Sequence, residues 1–231
     1  MEKIKLNETP IRTSRNFNIN NIKLENIKIP QKSDAFTNVK IINENSKNII
    51  TQTKTENNLT YGLNQELTNQ VNENSNANFQ ININSKTESL TKLYFELCKE
   101  NPNLIENVEI IANEGTRATV ILKYNSEDNG ENYHNGIIKV RLQKNAKINV
   151  IIANFLNTAS NNFLAIENVL EENAFLKYTI VDFGGKNSVT NYYSNLLGEN
   201  SQNQVNTIYL GTENQLFDLN YIGQLRGKKS D

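Results

Sequence analysis

The chain has 231 residues, enough for one mid-sized domain, or a core with an attached N-terminal module, that buries a hydrophobic core without disulfide staples. Its formal net charge of −1 argues against a global basic field for nucleic acid, and the lone cysteine, Cys98, excludes an internal disulfide framework. No apolar run approaches the roughly 18 residues that span a bilayer, and none follows Met1 as a signal would, so the expectation is a soluble cytoplasmic protein.

Asparagine makes up about a fifth of the chain. Two readings stay open. Base composition of the genome can raise Asn, Ile and Lys together. Alternatively, Asn is placed at turns, where it tolerates left-handed backbone and bonds its own chain.

From the N-terminus, Met1 to about Lys32 is polar and holds two of the three prolines, so it is expected to wrap the surface or stay mobile. Val39 to Ile42, Asn78 to Ile83 and Leu90 to Leu97 read as short strands between polar loops. Leu63, Leu67 and Val71 recur every four residues between polar neighbours, which predicts one short amphipathic helix. The expected division is an N-terminal region of mixed structure over 1–105 and a repetitive core over 106–231.

The core repeats a triplet: Glu114-Gly115-Thr116, Lys144-Asn145-Ala146, Glu172-Asn173-Ala174 and Glu199-Asn200-Ser201. The third positions are spaced by roughly 30, 28 and 27 residues, within the range of solenoid repeats, and Lys229-Ser230 begins a fifth copy about 29 residues on. Past each small residue an alternating strand follows. Two positions on stand Ala118, Ile148, Leu176 and Asn203; four on, Val120, Val150, Tyr178 and Val205; six on, Leu122, Ile152, Ile180 and Thr207. A second strand-like run precedes each triplet: Val108 to Ile111, Ile137 to Leu142, Phe163 to Leu170 and Tyr192 to Leu197. Two strands and two turns per repeat suit one coil of a parallel β-helix, with Gly or Asn supplying a positive-φ corner. A meander of hairpins is the rival, since the same dipeptides close tight turns, but a meander needs no constant period.

Several strings resemble the SufD branch of the SufB/SufD family. They are Asn7-Glu8-Thr9-Pro10-Ile11-Arg12-Thr13-Ser14-Arg15-Asn16, Tyr133-His134-Asn135-Gly136 and Asp182-Phe183-Gly184-Gly185-Lys186, then Asn191-Tyr192-Tyr193-Ser194-Asn195-Leu196 and Asn206-Thr207-Ile208-Tyr209-Leu210-Gly211. The resemblance implies an all-β fold: a right-handed parallel β-helix, incomplete here, behind a small mixed N-terminal region with one helix. It also implies a scaffold subunit of iron–sulfur cluster assembly that pairs with a SufB-like protein, acts with a SufC-like ATPase and is not itself an enzyme. The family's coils continue beyond the point matching Arg226 to Asp231. The expectation is therefore that the pairing strands, the cluster-related His and Cys positions and the helices contacting SufC lie outside this sequence. A cluster is expected only on the full assembled complex, with no cofactor bound by this stretch.

No catalytic, cofactor-binding or metal-ligating residue is assigned. His134, the only histidine, can ligate metals or move protons, but no second His or nearby Cys joins it, so a structural turn is expected. Cys98 ends an alternating run and is expected to be a buried structural thiol. Asp182-Phe183-Gly184 matches the kinase magnesium motif in letters only, lacking its partner motifs, and Gly184-Gly185 reads as a turn. Glu127-Asp128 and Glu171-Glu172 read as solvated acids at turns, and Arg226, Lys228 and Lys229 are too few for nucleic acid. Two other classes remain. One is a β-helical carbohydrate-active enzyme, disfavoured by the absence of Trp and of a visible acid–base pair; the other is a purely structural β-solenoid.

Overall fold

The computed structural model describes residues 3–7, 22–45, 47–212 and 214–231. Residues Glu8 to Asn16 of the expected opening motif lie outside them. In chain order the elements are β1 (Lys3–Leu6), β2 (Ile22–Glu25), β3 (Val39–Asn43), β4 (Ile49–Thr51), α1 (Gln65–Asn74), β5 (Ala77–Ile83), β6 (Leu90–Leu97) and β7 (Asn103–Ala112). There follow β8 (Arg117–Ser126), β9 (Tyr133–Leu142), β10 (Lys147–Phe155), β11 (Asn161–Leu170), β12 (Phe175–Asp182), β13 (Asn187–Leu196), β14 (Gln202–Tyr209) and β15 (Leu216–Leu225).

Two sheets face each other. One has the order β14-β12-β10-β8-β6-β3 and the other β15-β13-β11-β9-β7-β5-β4, with every neighbour from β5 onward paired in parallel. Parallel pairing rules out the meander, because consecutive hairpin strands must run antiparallel. The chain is a β-solenoid of about five turns. The parallel ladders already include β5 and β6, upstream of residue 106, and antiparallel β4 and β3 flank them.

The expected columns stack in register. Ala118, Ile148, Leu176 and Asn203 are aligned, as are Val120, Val150, Tyr178 and Val205, and Leu122, Ile152, Ile180 and Thr207. The apolar members of the first two coils are essentially sealed from solvent and belong to one continuous core.

Each triplet forms the predicted corner. Gly115, Asn145, Asn173, Asn200 and Lys229 all have φ between 55° and 67°, and each following small residue closes a tight turn onto the carbonyl three positions earlier. The corners also bond to one another across coils. The Gly115 amide donates to the Lys144 carbonyl at 3.0 Å, and Asn145, Asn173 and Asn200 donate to Glu172, Glu199 and Lys228 at 2.9 Å each. At these positions Asn is a turn residue with a stated backbone duty.

The outer face of the β7-β9-β11-β13 sheet is covered by the N-terminal segment. In α1, the Asn64 side chain caps the helix by accepting from the Leu67 amide at 2.8 Å, and Leu67 and Val71 turn inward. They pack with Ile4, Leu6 and Leu24 from the antiparallel β1–β2 pair onto Ile105, Tyr133, Ile137, Phe163 and Val189. The described ends of the polar N-terminal stretch are thus a strap bound to the solenoid. Leu63 is buried beside the helix, just before its cap.

Candidate functional site

Most inward positions are apolar, but one end of the cross-section is polar. It lies where β8, β10 and β12 end and β9, β11 and β13 begin. Continuing the inward phase to eight residues past each corner gives Tyr124, Asn154 and Asp182, stacked in register. Opposite them, the second residue of β9, β11 and β13 gives the column His134, Asn162 and Ser188. Glu106 points in from β7 toward both columns, as its contacts show. All seven are buried to within 3 % of complete.

They form one connected ladder. Tyr124 donates its hydroxyl proton to Glu106 Oε1. His134 Nε2 lies 3.3 Å from the same oxygen, though outside hydrogen-bonding geometry. His134 Nδ1 is 2.7 Å from Asn162 Oδ1, and Asn162 Nδ2 donates to Ser188 Oγ at 2.8 Å. Because the Asn162 amide nitrogen is engaged as a donor, its oxygen is left to accept, so Nδ1 is the protonated nitrogen of this pair. Ser188 Oγ donates to Asp182 Oδ2 at 2.6 Å, and Asn154 Nδ2 donates to Asp182 Oδ1 at 2.7 Å. The rings of Phe95 and Tyr124 stack at 5.4 Å, and that of His134 lies 4.3 Å from Tyr124.

Burial sets the electrostatics. Removal from water raises the Asp182 carboxyl above its ordinary value, and the bonds from Ser188 and Asn154 offset only part of that rise. Burial, then the neighbouring Glu106 carboxylate, pushes the Tyr124 phenol far up, so it stays a donor. Glu106 Oε2 has no partner, an unmet acceptor in the sealed interior. With these residues buried to within 3 % of complete, the ladder has no open access for a substrate. What it can do is fix coil register, because any slip would leave polar groups unpaired at a cost of about 1–3 kcal/mol each.

The structure relocates His134. It stands within strand β9 with its ring in the interior, not in a turn. His-Asn-Gly mimics a turn signal, but here Asn135 points outward to Gln70 and the Leu67 carbonyl of the strap while Gly136 makes room for Glu106. Cys98 lies just past β6, half-buried rather than sealed, bridged through its backbone to Asn101. Gly184 and Gly185 form the predicted turn. A Cβ on Gly184 would come within 2.4 Å of the Leu156 backbone, and Gly185 has φ of 90°. Glu127, Glu171 and Glu172 are exposed, whereas the Asp128 side chain accepts from the Lys99 and Gly130 amides. Glu106, Tyr124, Asn154, Asn162 and Ser188 were not singled out in the sequence, though the two-residue phase, carried one step further, reaches three of the ladder residues. Among the described residues, no three His, Cys, Asp or Glu side chains are grouped as metal ligands.

A comparison with curated proteins finds no match. The family model described as "SUF system FeS cluster assembly, SufBD core domain" matches residues 94–231, which runs from within β6 through every later coil and covers more than half of the sequence; the chain belongs to that family.

Proposed function

We propose that this chain is a SufD-type scaffold subunit of the iron–sulfur cluster assembly machinery, which pairs with a SufB-like protein and is driven by a SufC-like ATPase. The observation that carries this is the family match across an unbroken run of parallel coils. The strings Tyr133 to Gly136, Asp182 to Lys186, Asn191 to Leu196 and Asn206 to Gly211, which resemble the SufD branch, support the SufD side of the family. Clusters are held mainly by thiolates. This sequence offers one thiol, Cys98, half-buried at the end of β6, while its one histidine is sealed among Tyr124, Glu106 and Asn162. On this reading the nascent cluster is cargo of the assembled complex, and the chain itself carries no catalytic residue. The cytoplasm is the matching location, and no helix among the described residues is long and apolar enough to cross a membrane.

Size-exclusion chromatography with light scattering tests this reading, with the chain alone and mixed with matching SufB-like and SufC-like proteins. If the natural full-length protein forms no complex with either, the proposal fails. If this chain alone forms a stable complex with either, the partner surface lies within residues 1–231.

A further inference from the structure

The two outer faces of the solenoid differ. The strap covers one. The other, the outward face of the β6-β8-β10-β12-β14 sheet, has no described element on it, yet it carries a continuous apolar stripe. In register, Ala153, Val181 and Ile208 form one row across β10, β12 and β14, and Phe155 and Phe183 form the next, their rings 5.9 Å apart. Phe155 and Phe183 are 39 % and 40 % exposed, and Ile208 54 %. Ile151 extends the stripe toward the middle of the sheet.

The charged residues around the stripe are mostly basic, although one of them, Lys92, already pairs with Glu44 at 3.6 Å. The outward strand positions of this sheet hold Lys40, Lys92, Arg117, Lys123, Lys147 and Lys177, against one acid, Glu96, which already accepts from Asn125 Nδ2 at 2.8 Å. Lys123 bridges the two kinds of surface, its ammonium 5.8 Å from the Phe155 ring and 5.9 Å from that of Tyr94.

We propose that this face docks an acidic protein segment that brings apolar residues of its own. A flat pleated sheet with aliphatic side chains half-buried in it suits a complementary protein surface. A duplex nucleic acid is held through its phosphates and would need cations, not aliphatic groups, at the centre of the footprint. A second copy presenting the same face would set lysine against lysine, which disfavours a symmetric dimer here. A bilayer is entered by apolar groups that project from the surface, whereas Ile151, Ala153 and Val181 are only partly exposed. The proposal does not depend on the cluster-assembly reading.

The test is selection of a phage-displayed random 16-residue peptide library on the full chain. Enriched peptides are then synthesised and measured by fluorescence anisotropy against the wild type and a Lys123→Glu, Phe155→Ser, Phe183→Ser variant. Circular dichroism and thermal melting establish that the variant, altered only at side chains reaching the surface, is folded. Enriched peptides combining Asp or Glu with Leu, Ile or Phe are expected, with affinity falling about tenfold or more in the variant and weakening with salt. Enrichment of basic or uncharged peptides, or equal binding to both proteins, overturns the proposal. Three further outcomes also overturn it: sedimentation with phosphatidylglycerol vesicles, retention of a duplex DNA or RNA oligonucleotide, or concentration-dependent dimerisation, each lost in the variant.

Discussion

Glu106 and Gly136 face each other in register on β7 and β9, and the missing side chain of one is the space occupied by the other. A Cβ on Gly136 would lie 2.7 Å from Glu106 Oε1 and 2.8 Å from His134 Nε2. Gly136→Ala is therefore expected to destabilise the chain by about 2 kcal/mol through overpacking, in place of the usual small gain from Gly→Ala in a strand. The check is the urea midpoint in a double-mutant cycle with Glu106→Ala. Shortening Glu106 gives the methyl group room, so the double variant should lose less than the sum of the single changes. Strict additivity would show that the crowding is relieved elsewhere.

Asp182 predicts an unusual pH dependence. Its carboxyl is raised in the folded state by burial, so between the unfolded value, about 3.9, and the folded one, the native chain binds more protons than the unfolded chain. Stability from this group therefore falls as pH rises through that window and stays at the lower level above it. Asp182→Asn keeps an acceptor for Asn154 and a hydrogen-bonding group beside Ser188, and it should flatten this part of the pH profile at small cost near neutrality. Asp182→Ala, by contrast, orphans two buried donors; its profile should be as flat as that of Asp182→Asn but lower by about 2–3 kcal/mol. Denaturant melts from pH 4 to 7 on the three proteins separate these effects.

The repeat was legible because a solenoid writes its geometry into one dimension. Near-regular spacing of Gly115, Asn145, Asn173 and Asn200 sets the register, and alternation after each corner sets the inward face. The ladder was less legible because its partners come from different strands. Glu106 meets Tyr124 from the next strand and His134 from the next coil, and no local spacing joins those three. His134 itself was misplaced for the same reason: the residues that make it an interior side chain are about 28 positions away, at Asn162 and Glu106. The strap was only half visible. The helix announced itself through Leu67 and Val71, but the outer face of a covered sheet reads as an unbroken run of buried positions in β9 and β13, not as alternation.

That covered face yields a third prediction. Leu67 is buried between α1 and the outer side of the solenoid, among side chains that include Tyr133 and Phe163. Leu67→Ala should cost about 3 kcal/mol, the usual range for a buried leucine. The loss is expected to be local, because the strap touches the coils from outside while the interior core is continuous without it. Hydrogen exchange should show amides of α1, β1 and β2 losing protection while those of β8, β10 and β12 keep theirs. Uniform loss of protection would mean that the strap and coils unfold as one unit.

The corners give the last prediction, and it separates the two explanations of the asparagine content. If Asn145, Asn173 and Asn200 were products of base composition alone, alanine would serve as well at each. Their φ values of 55° to 61° say otherwise, since an L-residue with a Cβ pays roughly 1–2 kcal/mol there and Asn is among the few that adopt the region readily. Asn145→Ala should therefore lower stability by about 1 kcal/mol, whereas Asn145→Gly should leave it within a few tenths. The corner amide bonds to the next coil in both variants, so the difference isolates backbone conformation from hydrogen bonding. Control substitutions at exposed Asn129 and partly exposed Asn149, neither with a positive φ, should cost little with alanine. Equal tolerance of alanine at Asn145 and at Asn129 would return the corner asparagines to compositional drift. A clear gap between them would show that the repeat is specified residue by residue, at the triplet corners where the chain turns with positive φ.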